Sequence, residues 1–356
     1  MKRPLRIMVV SALIAVLLVS SLVACSNPPP PTSTSGTTSA NQAQGEKIQL
    51  SLVAHITSAD AKPWYTLKTF ADKVKERSGG RLEIVIKGGP EVFPPADLLT
   101  KCKDGLVDMA FCSVGSWTPI APELGYDGLP YEVNWSGVTS IMDATRPIVD
   151  KVYDKYGVKL VGNIYPSGPF MLATKTPVRS AADLKGMVLR GHGMMPAVIL
   201  ESLGASAVVM PFGEVVPALE RGVVNGVMIA IPSMQDFKFW DLKVNYVVDY
   251  ELAFAMACSV IVNQRAYNRL SPELQKILID VGTQEEKEMS AYWKQQEATI
   301  VADLKAHGIA FYTLPADEAS RWRAASVAAA KPAFLGIKGI DPAIAQKFVD
   351  LMDKKW

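Results

Sequence analysis

The chain has 356 residues, 49% of them hydrophobic and 20% charged, with 37 basic and 35 acidic side chains and a formal net charge of +2. That length exceeds what a single core usually accommodates, so two domains are expected of an ordinary globular composition. The first 24 residues hold three bases and no acid; without them the balance is 34 bases to 35 acids, which gives no electrostatic reason to expect a nucleic-acid partner.

The N-terminus reads as a targeting segment. Lys2, Arg3 and Arg6 precede the apolar run "IMVVSALIAVLLVSSLV", and a basic start followed by an apolar stretch and small residues describes a secretory leader. The tetrapeptide Leu22-Val23-Ala24-Cys25 resembles a bacterial lipobox. Residues 1–24 are therefore expected to be a lipoprotein signal peptide, with Cys25 lipidated and holding the chain to the cell membrane on its extracytoplasmic side, in the periplasm or at the outer face. Residues 25–47 are rich in Pro, Ser and Thr and nearly devoid of apolar side chains. Such a stretch cannot offset its ordering entropy by burial and is expected to be a disordered tether.

From Ile48 the pattern changes. "IQLSLVAH" alternates as a half-buried strand does, and the next segment carries Leu67, Phe70, Ala71 and Val74 at helical spacing until Gly79-Gly80 stop it. "RLEIVIKGG" is a strand, "PPADLLTKCKDG" a short helix and "LVDMAFCSV" a strand. This β-α-β-α-β order implies a largely parallel sheet. The order recurs from "ADLKGMVLRG" to "NGVMIAIP". An offset of 117 positions lays Asp97 on Glu214, Gly105 on Gly222 and Asp108 on Asn225, so two α/β domains of one kind are expected. Ser271-Pro272-Glu273 then opens a helical pattern closed by Gly308. Unbroken, it would be a strut reaching both domains; split at Gly282, it would be two successive helices.

No elbow around a nucleophilic serine, no phosphate loop and no dinucleotide fingerprint is present, and nothing asks for catalysis. His55, His192 and His307 form no metal-binding pattern, and Cys102, Cys112 and Cys258 read as buried thiols, so no metal and no cofactor is expected. Arg190 is the conspicuous residue. It ends the apolar run of "LKGMVLRGHG" and is followed by Gly191 and Gly193. In open α/β sheets ligands sit at the carboxyl ends of strands, and a guanidinium fork pairs bidentately with a carboxylate. Arg190 is thus a candidate anchor for an acid, the alternative being a solvated or structurally paired arginine.

The blocks "DLKGMVLRGHG", "LGASAVVMPFGEVVPALERGVVNGV" and the long helix after "NRLSPELQKIL" together resemble the extracytoplasmic solute receptors of TRAP transporters, the DctP-like family. The resemblance implies an α/β, periplasmic-binding-protein-like (type II) two-domain fold with a long helix contacting both domains. Domain I is expected from 48–166 plus 256–285, and domain II from 167–255 plus 286–356. It implies a receptor, not an enzyme, that closes over a small organic acid and delivers it to TRAP membrane permease subunits.

The family's carboxylate-binding arginine falls on Arg190 and its cleft ring on Phe212. Polar contacts of the first domain fall near His55 and Ser113. Where relatives carry a second arginine and an asparagine, this chain has Phe170 and Ile229. That departure implies a ligand with one carboxylate and a more apolar body, a keto, hydroxy or aromatic monocarboxylate, with Trp117, Trp64, Phe254 and Met228 as candidates to line the apolar part. The competing reading is a ligand-sensing lipoprotein that signals to a membrane partner.

Overall fold

The computed structural model describes residues 46–55, 62–88, 92–166, 168–255 and 258–356, with 254 and 255 described as backbone alone. The leader, Cys25 and nearly all of the tether lie outside the described residues.

The first α/β stretch comprises β1 (Ile48–Ala54), α1 (Lys62–Arg77), β2 (Leu82–Gly88), α2 (Leu98–Asp104) and β3 (Met109–Ser113). Helix α1 buries Leu67, Phe70, Ala71 and Val74, the face its spacing defines, and ends where Gly79 and Gly80 take φ of 61° and 76°. α3 (Val138–Lys155), β4 (Val158–Tyr165) and β5 (Gly168–Thr174) follow. The second stretch comprises β6 (Val188–Gly191), α4 (Met194–Ser202), β7 (Ser206–Val209), α5 (Val215–Glu220), β8 (Gly226–Ala230) and α6 (Ile231–Asp236). Then come β9 (Tyr246–Ala255), β10 (Cys258–Asn263), α7 (Gln264–Asn268), α8 (Pro272–Ala306), β11 (Ala310–Thr313), α9 (Ala316–Leu335) and α10 (Pro342–Asp350).

The 117-residue offset has a structural counterpart. Gly105 and Gly222 both follow their helices at left-handed φ, 81° and 71°. Three residues on, Asp108 accepts the backbone N–H of Ser51 at 2.9 Å, and Asn225 accepts that of Val188 at 2.7 Å. In each half a side chain just ahead of one strand thus fixes the register of its neighbour.

The strands form two sheets, β2-β1-β3-β10-β4 and β11-β9-β5-β8-β6-β7. Both are mixed rather than largely parallel. β10 runs antiparallel to β3 and β4, and β5 runs antiparallel to β8 and β9. The reversed strands are those the chain enters directly from the other sheet, from β4 into β5 and from β9 into β10. Cys258 pairs with Tyr165 and Ser113, and Gly168 with Ala255, so both crossings join the carboxyl ends of the parallel strands. Those ends therefore meet, which is where an open α/β sheet places a ligand.

Helix α8 is a single element of 35 residues, about 50 Å long at the standard rise. Leu278 and Val281 enter the first sheet's core, and Ile300 and Leu304 enter a core on the second sheet. Gly282 does not split the helix; it lets α8 cross β4 closely. The C-terminal segment is shared differently from the boundaries read in the sequence. Trp322 joins the second sheet's core, but Phe334 of α9 and Phe348 of α10 are buried in the first.

Candidate functional site

Strand β6 lies between β7 and β8, with Arg190 opposite Val208 and Val227. Gly191, which ends it, passes close to α4: a Cβ there would stand 2.9 Å from the backbone nitrogen of Ala197. Arg190 follows the apolar residues Val188 and Leu189 and is carried inward with them, to 4% exposure. Its Nε and Nη2 both donate to the carbonyl of Met210, at 3.2 and 3.1 Å. A guanidinium has five N–H donors, so three have no protein acceptor among the described residues, and no described carboxylate forms an ion pair with it. Burial pulls its pKa down to about 9. A cation held this way is destabilised by lost hydration, and an anion against its open donors would compensate. Phe212 lies beneath it, ring centroid 6.0 Å from Cζ, and is itself met edge-on by Phe237 at 4.7 Å.

Two residues beyond Arg190, the side chain of His192 is 8% exposed. Its ring meets Phe170 edge-on at 4.3 Å between centroids. Nε2 stands 3.9 Å from Oδ2 of Asp127, a residue of the turn that follows β3 in the first half of the chain. Gly115 touches the same ring; a Cβ there would lie 3.4 Å from His192 Cδ2 and 4.0 Å from Ser113 Oγ. Nδ1 of His192 is buried without a hydrogen-bond partner among the described residues. Burial first, and the Arg190 charge second, hold its pKa well below the ordinary histidine value.

The other expected site residues are placed as follows. His55 directly follows β1, its Nδ1 3.3 Å from the carbonyl of Phe111 and its ring stacked on Phe111 at 5.8 Å. Burial lowers its pKa to about 4, against a smaller opposing effect of that carbonyl. Ser113 ends β3 and pairs with Cys258. Ile229 lies opposite Met171 in the core that Phe212 borders, two residues past the partner of Arg190 and on the same side of β8. Phe170 and Met228 belong to the core on the other face. Trp117 is a first-core residue, fully buried and edge-on to Tyr153 at 6.1 Å, and Trp64 packs at that core's margin. The side chain of Phe254 lies outside the described residues.

The structure thus joins Arg190 with Phe212, and Phe170 with His192, whose ring also faces Gly115. It shows no such contact for Trp117. Sequence reasoning missed His192, Asp127 and the carbonyl of Met210. The available signal for His192 was its place two residues from Arg190, just past the carboxyl end of the same strand. A bridge between the halves was also missed: Nζ of Lys62, at the start of α1, pairs with the carboxylate of Asp236 at the end of α6, and lies 3.5 Å from the carbonyl of Pro232. Among the described residues no group of three or more His, Cys, Asp or Glu is placed to hold a metal. Cys102, Cys112 and Cys258 are free and buried.

Residues 53–335 match the family model described as bacterial extracellular solute-binding protein, family 7. The chain is similar to a solute-binding protein of Sulfitobacter sp. strain NAS-14.1, 25% identical over 239 residues that cover 65% of this chain and 70% of the relative. Its fold is that of DctP7, a Bordetella pertussis extracytoplasmic solute receptor binding pyroglutamic acid (TM-score 0.75, 24% identity, 86% of this chain and all of that one). It is also that of a TRAP periplasmic solute-binding protein from Desulfovibrio salexigens with bound orotic acid (TM-score 0.77, 21% identity, 87% and 98%). With more than half its length matched to the family model, this chain belongs to the bacterial extracellular solute-binding proteins of family 7, the extracytoplasmic receptors of TRAP transporters, which bind small solutes for a membrane permease and are not enzymes.

Proposed function

We propose that this receptor binds a small organic monocarboxylate between the carboxyl ends of its two sheets, with Arg190 gripping the carboxylate. The observation that carries the reading is the buried guanidinium of Arg190, which has three open N–H donors and no described carboxylate against it. Two of those donors match the two oxygens of one carboxylate. Phe212 closes one side of the anion site, and Phe170 and Ile229 supply apolar wall where a second acidic group of the ligand would need a cation. Burying such a group unpaired is costly, so one carboxylate fits better than two. His55 and Ser113 bring polar atoms from the first sheet.

The two α/β halves of the chain, one built on each sheet and with the C-terminal segment from Phe334 onward packed on the first, act as two domains that close on the solute. Cys25 is lipidated and anchors the receptor beside its permease. The motif Leu22-Val23-Ala24-Cys25 supports that part, and intact-mass measurement of chain extracted from membranes tests it: a diacylglyceryl adduct on Cys25 is expected.

For the ligand, native mass spectrometry of freshly purified protein identifies what travels with it. Calorimetric titration then compares monocarboxylates with C4-dicarboxylates and with sn-glycerol-3-phosphate. Preference for a monocarboxylate is expected; tighter binding of a dicarboxylate or a phosphate ester contradicts the reading.

A further inference from the structure

Arg190 accounts for the charge of a ligand, and two residues on, Nδ1 of His192 is a buried polar atom with no hydrogen-bond partner among the described residues. The ring is closed in on its other sides. Cδ2 is the atom nearest Gly115, Nε2 faces the carboxylate of Asp127 at 3.9 Å, and Phe170 meets the ring edge-on. A neutral imidazole carries a single N–H. The Asp127 carboxylate accepts and cannot donate when ionised, so it favours the tautomer with the proton on Nε2. Nδ1 then presents a bare lone pair. The nearby Arg190 charge works in the same direction, since a second cation beside it is unfavourable.

From this geometry we infer that Arg190 and His192 form a two-point subsite, selecting acids that carry a hydrogen-bond donor, a hydroxyl or an amide N–H, beside the carboxylate. The inference rests on the carboxylate role of Arg190 proposed above and narrows it. The anion meets the guanidinium, and the donor meets Nδ1. An acid with a keto oxygen in that place sets lone pair against lone pair. An acid with only hydrogen there leaves Nδ1 buried and unpaired, as it is in the protein alone. Hydroxy acids and lactam acids are therefore bound in preference to 2-oxo acids and to plain carboxylic acids of the same size.

Matched series test this by calorimetry at pH 7.5: lactate, pyruvate and propionate; mandelate, phenylglyoxylate and phenylacetate; pyroglutamate and cyclopentanecarboxylate. In whichever series binds, the donor-bearing acid is expected to bind at least about tenfold tighter than its analogues, the scale for leaving one buried polar group unpaired. His192→Leu is expected to reduce that ratio to within about threefold while the plain acid still binds. As a readout that needs no variant, ¹⁵N shifts of the His192 ring should report the Nε2–H neutral tautomer, with Nδ1 moving toward a hydrogen-bonded value when the hydroxy acid or lactam is added.

Equal affinities across a bound series, or a protonated Nδ1, overturn the subsite. Failure of every acid to bind overturns the carboxylate reading and the subsite with it. Acids that bind wild type and are lost in Arg190→Ala, yet show no donor preference, overturn the subsite alone.

Discussion

Gly162 of β4 and Gly282 of α8 meet backbone to backbone: a Cβ on Gly162 would stand 2.6 Å from the carbonyl oxygen of Gly282. A Cβ on Gly282 would stand 2.3 Å from the carbonyl oxygen of Val161. This crossing seats the long helix on the first sheet and so aims its other end at the second. Neither obstacle is a flexible side-chain tip, so Gly282→Ala must push helix and strand apart. A loss of about 1–3 kcal/mol is expected in urea unfolding, the range for overpacking a tight contact. Gly213→Ala, where a Cβ meets nothing within 4 Å, should stay within about 0.5 kcal/mol of wild type.

The bridge from Lys62 to Asp236 ties α1 to α6 across the meeting sheets and is only partly exposed. If the sheets part to release the solute, this pair must break first. Asp236→Asn is expected to speed ligand dissociation several-fold in stopped-flow measurements. Equilibrium unfolding should shift by less than about 1 kcal/mol, as is usual for pairs near the surface. An unchanged off-rate would show that the bridge takes no part in release.

Glu286 of α8 supplies a pH dependence whose sign can be worked out. Burial raises its pKa to about 7 from an ordinary 4.5, outweighing the nearby Arg146 and the N–H donated by Asn163. The folded state therefore holds this proton more tightly than the unfolded chain. Its contribution is fully present below about pH 4.5 and is lost as pH rises through about 7. Urea midpoints of wild type should thus fall relative to those of Glu286→Gln between pH 5 and 7.5. Parallel curves for the two proteins contradict that.

Much of the fold was legible because it obeys short-range rules. Leu67, Phe70, Ala71 and Val74 face one way on α1, and the offset that laid Asp108 on Asn225 corresponds to two side chains with the same bond to a neighbouring strand. The reversed strands β5 and β10 were not legible, because their direction is set by where the chain arrives and not by their own pattern. Nor was the passage of α9 from one core to the other. Within the site, Arg190 stood out as a cation ending an apolar run. His192 did not, since its isolation appears only when Asp127, Gly115 and Phe170, distant in sequence, surround it. Trp117 shows the converse: a large ring near a strand end that is fully buried in the first core.

Replacing Arg190 by methionine removes a buried charge and keeps much of the bulk. The free protein should be as stable as wild type or more so, because a desolvated cation with no described counter-charge is lost. Equilibrium unfolding without ligand checks this; a loss of several kcal/mol would assign Arg190 to holding the fold together.

The most direct measurement is calorimetric titration of wild type and Arg190→Met with the acid found bound to the purified receptor. A loss of roughly 3 kcal/mol or more in binding free energy, a hundredfold or greater, is expected when the guanidinium is removed. Equal affinity in the two proteins would contradict the claim that this buried arginine holds the ligand.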